Sequence, residues 1–211
     1  MILKYLGHSS FLIKSKYTVV TDPFHNIGYD MEKVSADFCL ISHAHFDHNA
    51  SENVQNSVVI DDARKVNLAN DIALKAINTF HDAFNGVIRG ENTVYKFSIE
   101  GVTFCHLGDI GENYSPQTIE RIGGCDVLFV PVGANYTIGA AEAQKYADHI
   151  APALIVPMHY KTRRSNIDIC GLNDFKSRYK SIIEAKNEFC FDKNDIKNFK
   201  KTVLLFDDKK Y

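Results

Sequence analysis

The stretch Leu40-Ile41-Ser42-His43-Ala44-His45-Phe46-Asp47-His48 closes an apolar run that starts at Asp37 and carries four potential metal ligands in its last six residues. Neutral imidazole and carboxylate are common donors to divalent cations such as zinc. Alternate spacing at 43, 45 and 47 puts three donors on one side of an extended turn, and His48 then points elsewhere, toward a second centre. The competing reading is a solvated polar turn. Such a cluster is far denser than nine histidines in 211 residues give by chance.

Working outward, three apolar runs downstream also end in a potential ligand. Ala76-Ile77-Asn78-Thr79-Phe80 ends at His81, the run 102–108 at Asp109, and Leu154-Ile155-Val156-Pro157-Met158 at His159. Strand ends gathered at one sheet edge can set such side chains around a single cleft, held by rigid elements. One histidine after a strand is ordinarily a surface or core residue. Three such positions after the cluster favour a site.

The pattern around these runs is one of many short elements. Strands are predicted over 2–6, 11–14, 17–21, 37–42, 58–60, 72–80, 93–99 and 102–107, with Glu100-Gly101 as a hairpin turn. Ser115-Pro116 opens a helix over 117–122 that Gly123-Gly124 stops. Strands at 126–132 and 153–158 flank a helix over 139–150. Asn173 caps a further helix whose stripe is Phe175, Tyr179, Ile182 and Ile183, and strands at 189–191 and 202–206 close the chain. With no repeat or Gly/Ser linker, 1–211 reads as one domain. The order suits two sheets with helices outside better than one parallel sheet.

Composition narrows the class. The chain is 45% hydrophobic and 24% charged, which excludes disorder, collagen and coiled coil. A chain of this size buries roughly 70–75% of its unfolded surface without staples. A net charge of −2 argues against a nucleic-acid partner. The five cysteines are an odd number with no C-x-x-C pair, which argues against a disulfide framework; Cys39 and Cys105 sit in apolar runs as core residues. The start 1–6 is too interrupted for a signal peptide, and no apolar stretch approaches membrane length. A cytoplasmic protein with no membrane partner is the expectation, and oligomeric state is silent.

His43-x-His45-x-Asp47-His48, followed by His81, Asp109 and His159, resembles the five-motif pattern of the metallo-β-lactamase superfamily over nearly the whole chain. Gly7-His8-Ser9, Thr21-Asp22-Pro23-Phe24, His106-Leu107-Gly108-Asp109, Val156-Pro157-Met158-His159-Tyr160 and the 131–139 loop resemble its compact bacterial and archaeal branch. That branch contains the L-ascorbate-6-phosphate lactonase and many metal-dependent hydrolases. The resemblance implies an α/β fold, an αββα four-layer sandwich of two mixed β-sheets packed face to face. It implies two divalent ions, zinc or manganese foremost and iron also admissible. His43, His45 and His81 would hold the first, Asp47, His48 and His159 the second, with Asp109 bridging. The chain departs from the branch at 82–86 and at Ala134 and Ile138, which leaves the metal site alone and the substrate class open.

A hydroxide between two cations would be the nucleophile, since binding lowers the pKa of water from about 15.7 to about 7, on the order of 12 kcal/mol of activation. Asp109 or Asp47 would orient it and take its proton. No Gly-x-Ser-x-Gly elbow is present. His8, Asp22 and His106 are supporting candidates, with a turn histidine an equal reading of His8. Lys161, Arg163 and Arg164 read either as anion contacts or as a solvated basic turn. Tyr136 and Tyr160 read either as hydrogen-bond donors to a developing oxyanion or as packing residues. The expected activity is hydrolysis of a small anionic lactone, ester or phosphodiester. The alternatives are a nuclease on the same fold and a metal-binding sensor without catalysis.

Overall fold

The computed structural model describes every residue except Lys210, and Leu68 by its backbone alone. In chain order the strands are β1 (Ile2–Gly7), β2 (Ser10–Lys14), β3 (Thr18–Thr21), β4 (Val34–Ser35), β5 (Phe38–Leu40), β6 (Val54–Gln55), β7 (Val58–Ile60) and β8 (Lys75–Phe80). They continue as β9 (Glu91–Ile99), β10 (Val102–His106), β11 (Val127–Pro131), β12 (Leu154–Met158), β13 (Ile182–Ala185), β14 (Glu188–Cys190) and β15 (Thr202–Phe206). The α-helices are α1 (Pro116–Ile122), α2 (Ala140–Ile150), α3 (Asn173–Ser177) and α4 (Lys193–Ile196).

Two large mixed sheets result. One has the order β14-β1-β2-β3-β5-β7, the other β13-β15-β12-β11-β10-β9-β8, and β4 with β6 forms a small third. The central strands of the second sheet are buried on both faces, which is why they read as unbroken apolar runs. Val127 and Phe129 of β11 join the core between the sheets. Leu128 and Val130 face the layer where α2 lays Ala143, Tyr146, Ala147 and Ile150. The αββα expectation is met in this layering. Cys39 and Cys105 are buried, as their apolar runs suggest.

Parallel pairing carries the functional residues to one edge. Thr21 of β3 pairs with Leu40 of β5, and Leu40 with Ile60 of β7, so these strands end level just before Asp22 and Ser42. In the second sheet His106, Phe129 and Val156 share a level on parallel β10, β11 and β12. Asp109 and His159 therefore emerge from carboxyl ends that point the same way. The β1–β2 hairpin reaches the same edge through a tight turn at Gly7, whose φ is +114° and where a Cβ would lie 2.9 Å from the Phe24 ring.

Several boundaries differ from the sequence reading. The helix from Asn173 ends at Ser177, and Ile182 and Ile183 leave its expected stripe for β13, parallel to β15 with Ile182 opposite Val203. The open edge of β15 offers backbone bonds to a β-branched pair, and this outweighs helical spacing. Ala73, in the left-handed region at φ 46°, ends a 3₁₀ segment over 63–72, so the strand expected from 72 begins at Lys75. That segment and the short elements β4, β6 and α4 carry too few periodic residues to be read from sequence. No helix among the described residues is long and apolar enough to cross a membrane.

Candidate metal centre

Asp22 organises the ligand turn from the neighbouring strand. Ser42 donates to it twice, N–H to Oδ1 at 2.7 Å and Oγ–H to Oδ2 at 2.7 Å. His48 Nδ1 lies 2.9 Å from Oδ2. Burial opposes the charge of Asp22, but His106 and His48 beside it hold its carboxyl below the usual range. A carboxylate only accepts, so His48 carries its proton on Nδ1. Ser42 gives its hydroxyl proton to Asp22, and so accepts from His43 Nδ1 at 2.9 Å. His43 thereby turns a bare Nε2 inward, and His48 directs its Nε2 toward the same centre. His48 N–H closes the turn onto the His45 carbonyl at 2.9 Å.

The other donors arrive from the second sheet. His81 follows β8, and its N–H bonds the Gly90 carbonyl at 3.0 Å. Asp109 N–H bonds Asn92 Oδ1 at 2.9 Å, while the Asn92 amide bonds the Leu107 carbonyl at 2.9 Å and Thr79 Oγ1 at 2.8 Å. Gly108 allows this approach: its φ is +56°, and a Cβ there would lie 2.3 Å from Asn92 Oδ1 and 2.6 Å from Ser42 Cβ. His159, at φ 52°, donates its N–H to the His8 carbonyl at 3.2 Å, which ties the two sheets together at the site.

Asp109 Oδ2 is the hub. It lies 3.1 Å from His159 Nε2, 3.2 Å from His48 Nε2, 3.3 Å from His81 Nε2 and 3.9 Å from His43 Nε2. Donors on one tetrahedral zinc, each at about 2.0–2.2 Å, are separated by roughly 3.3 Å. The donor atoms form overlapping groups within 4.8 Å: His43 with His45 and His81, His8 with Asp47, His48 and His159, and His43 with His48 and Asp109. Buried atoms with no hydrogen-bond partner include Nε2 of His43 and His48, and Oδ1 of Asp109. Such atoms are costly unless a cation meets them. The donor set thus fits divalent metal.

The electrostatics agree. Burial first, then His48, brings His43 down to about 3. Burial and His81 lower His45. Both are therefore neutral donors near pH 7. Burial also disfavours a charged His48, yet Asp109 and Asp47 outweigh it and raise His48 well above the usual histidine range. Asp109 is held far below the carboxylate range, burial opposing and His159 and His48 prevailing.

The structure brings together all seven residues proposed as ligands from sequence. His8 joins them directly, with Nε2 3.2 Å from Asp47 Oδ2. His106 lies behind the site: its Nε2 bonds the Ser9 carbonyl at 3.0 Å and its Nδ1 accepts from Gly108 N–H at 3.2 Å. A cavity of about 640 Å³ opens over His45, Asp47, His81, Asp109 and His159, and Tyr136 is in its wall. Tyr160, Lys161, Arg163 and Arg164 do not line it. Tyr160 is buried, stacked 6.4 Å from Tyr5. Lys161 Nζ bonds the Ile167 carbonyl at 2.6 Å, and Arg164 lies 5.7 Å from the centre of the Tyr29 ring. The cationic side chain in the wall is Arg89. Sequence reasoning passed over Arg89, Ser42, Asn92 and Asp82, which sit in no metal-ligand spacing. Ser42, next to His43, was the most findable.

Fold and site together define a metal-dependent hydrolase of αββα architecture. A family profile described as the Beta-lactamase superfamily domain matches residues 2–159, and the chain belongs to the metallo-β-lactamase superfamily. A UPF0173 metal-dependent hydrolase of Thermococcus kodakarensis is 30% identical over 190 residues, covering 76% of this chain and 84% of that one. The crystal structure of a candidate Zn-dependent hydrolase of the superfamily from Thermotoga maritima superposes with a TM-score of 0.78 at 33% identity, covering 97% of each chain. Igni18, a metallo hydrolase from Ignicoccus hospitalis, shares the fold at a TM-score of 0.61 and 19% identity, covering 84% of this chain and 89% of that one.

Proposed function

We propose that the protein is a dinuclear hydrolase of small anionic molecules, opening a lactone or other ester or a phosphodiester. The observation that carries this reading is the central position of Asp109 Oδ2, 3.3 Å from His81 Nε2 on one side and 3.2 Å from His48 Nε2 on the other. His43, His45 and His81 are then the donors of one centre, Asp47, His48 and His159 those of the other, and Asp109 serves both. Zinc or manganese bound there supplies Lewis acidity and an acidified water.

The chain's own residues do the rest. Asp47 or Asp109, both in the cavity wall, orients the attacking water and takes its proton, with His8 holding Asp47 Oδ2. Tyr136, in the same wall, is a candidate hydroxyl donor to a developing negative charge. A cavity of about 640 Å³ suits a small molecule. The even charge balance supports such a substrate over nucleic acid, and the odd cysteine count without a C-x-x-C pair supports a cytoplasmic setting.

The test is metal analysis of protein purified without added metal, then turnover on lactone, thioester and phosphodiester panels. Two ions per chain, turnover abolished by chelator and restored by zinc or manganese, and loss of turnover in Asp109→Ala and His45→Ala are expected. A metal-loaded protein inert across all panels overturns the reading.

A further inference from the structure

The loop over 82–90 is built around one buried carboxylate. Asp82 accepts backbone N–H bonds from Phe84 at 2.7 Å, Gly86 at 3.1 Å, Ile88 at 3.0 Å and Arg89 at 2.7 Å. Gly90 N–H adds a bond to the Gly86 carbonyl at 2.9 Å. A loop tied in this way has one shape, so the fold itself sets what it shows to solvent.

It shows apolar surface. Phe84, Val87 and Ile88 are 63%, 84% and 60% exposed. Of the six large hydrophobic side chains exposed among the described residues, these three, Phe46 and Tyr136 lie on this loop or in the cavity wall; Val58 is the exception. Scattered exposed hydrophobes are ordinary, but three close together on the loop that enters the cavity wall at Arg89, with Phe46 and Tyr136 in that wall, mark a binding surface. The same loop sends Arg89 into the wall, its guanidinium 5.3 Å from the centre of the Tyr136 ring. Among the described residues no ion pair joins the Arg89 guanidinium to a carboxylate, and Asp82 meets its backbone N–H. A cation so placed, in no direct ion pair, is a ready partner for an anion.

We infer that loop 82–90 and the adjoining wall form a subsite for an amphipathic anion. Arg89 meets an anionic group of the substrate, and Phe46, Tyr136 and the 84–88 tip cover its alkyl or aryl substituent. The inference rests on the hydrolase reading only for the bond that reacts. It narrows the substrate class from small anions in general to anions carrying a sizeable apolar group.

The test is calorimetric binding of methyl, butyl and octyl phosphate to manganese-loaded protein, which needs no turnover. Full burial of a methylene corresponds to about fourfold in affinity, so a half-open rim gives about twofold per methylene from butyl to octyl. The double variant Val87→Ser/Ile88→Ser flattens that rise. Arg89→Gln weakens all three ligands about tenfold, and Arg89→Lys recovers part of the loss, with metal content unchanged in each. Equal affinity along the series, or an Arg89→Gln protein that binds like the parent, overturns the inference while leaving metal-dependent turnover intact. So does sedimentation showing a dimer that the double variant dissociates, since a second copy would then own the rim. An inert panel with the chain-length effect preserved counts against the hydrolase reading alone.

Discussion

His48 Nδ1 lies 2.9 Å from Asp22 Oδ2, with both side chains shut away from solvent. Asp22 follows β3 and His48 closes the turn after β5, so one hydrogen bond between neighbouring strands orients a candidate metal donor. The same carboxylate takes both Ser42 donors. Asp22→Ala strips the acceptor from all of them. Partners of this kind change metal affinity by about 10- to 100-fold. Competitive chelator titration is expected to show a loss in that range, with a lower Tm. Unchanged affinity would remove Asp22 from the site.

In metal-free protein His48 keeps a proton, because Asp109 and Asp47 outweigh its burial. A cation arriving at Nε2 displaces it. Metal uptake at neutral pH is therefore expected to release protons, and calorimetric heats should vary with the buffer's ionisation enthalpy. The raised folded pKa also gives the metal-free protein stability that is fully present below the unfolded value of about 6.5 and lost as pH rises through the folded value. Its Tm should fall on the alkaline side, and that of the loaded protein should fall less. Heats that are the same in every buffer would contradict a protonated His48.

Gly108 sits where Asn92 and Ser42 leave no room for a Cβ, at a φ that L side chains avoid. Gly108→Ala combines overpacking with backbone strain, about 1–3 kcal/mol each. It also displaces Asp109, the next residue, from the hub. Denaturant unfolding should show the loss, and metal analysis should show fewer than the parent's ions. A variant with parental stability and metal content would show that the approach can relax.

Burial disfavours ionised Asp82, yet the N–H groups of Arg89, Phe84, Ile88 and Gly86 hold its carboxyl below the usual range. The order it imposes on loop 82–90 is present above the unfolded pKa of about 3.9 and is lost as pH falls through the lowered folded value. Asp82→Ala leaves those N–H groups without their acceptor. Hydrogen exchange at 84–89 should accelerate while β8 and β9 keep their protection. Unaltered exchange would mean that the loop is held by other contacts.

Much of this site is written locally. His43, His45, Asp47 and His48 lie within one turn, so their spacing alone shows a candidate donor cluster. His81, Asp109 and His159 are legible because each follows an apolar run, and a strand's end is where a side chain can leave the sheet. The central strands are equally plain, being buried on both faces.

What lay beyond the sequence are the relationships that cross between elements. Ile182 and Ile183 have helical spacing from Phe175, and only the open edge of β15 turns them into a strand. Nothing in the order of residues says that Arg89 enters the cavity wall while Lys161, Arg163 and Arg164 stay out of it. Donor type and local spacing are properties of neighbours along the chain, and they were readable at once. Which acceptor orients each imidazole, and which charge faces the substrate, depends on groups far apart in sequence whose separation is set only when the two sheets pack.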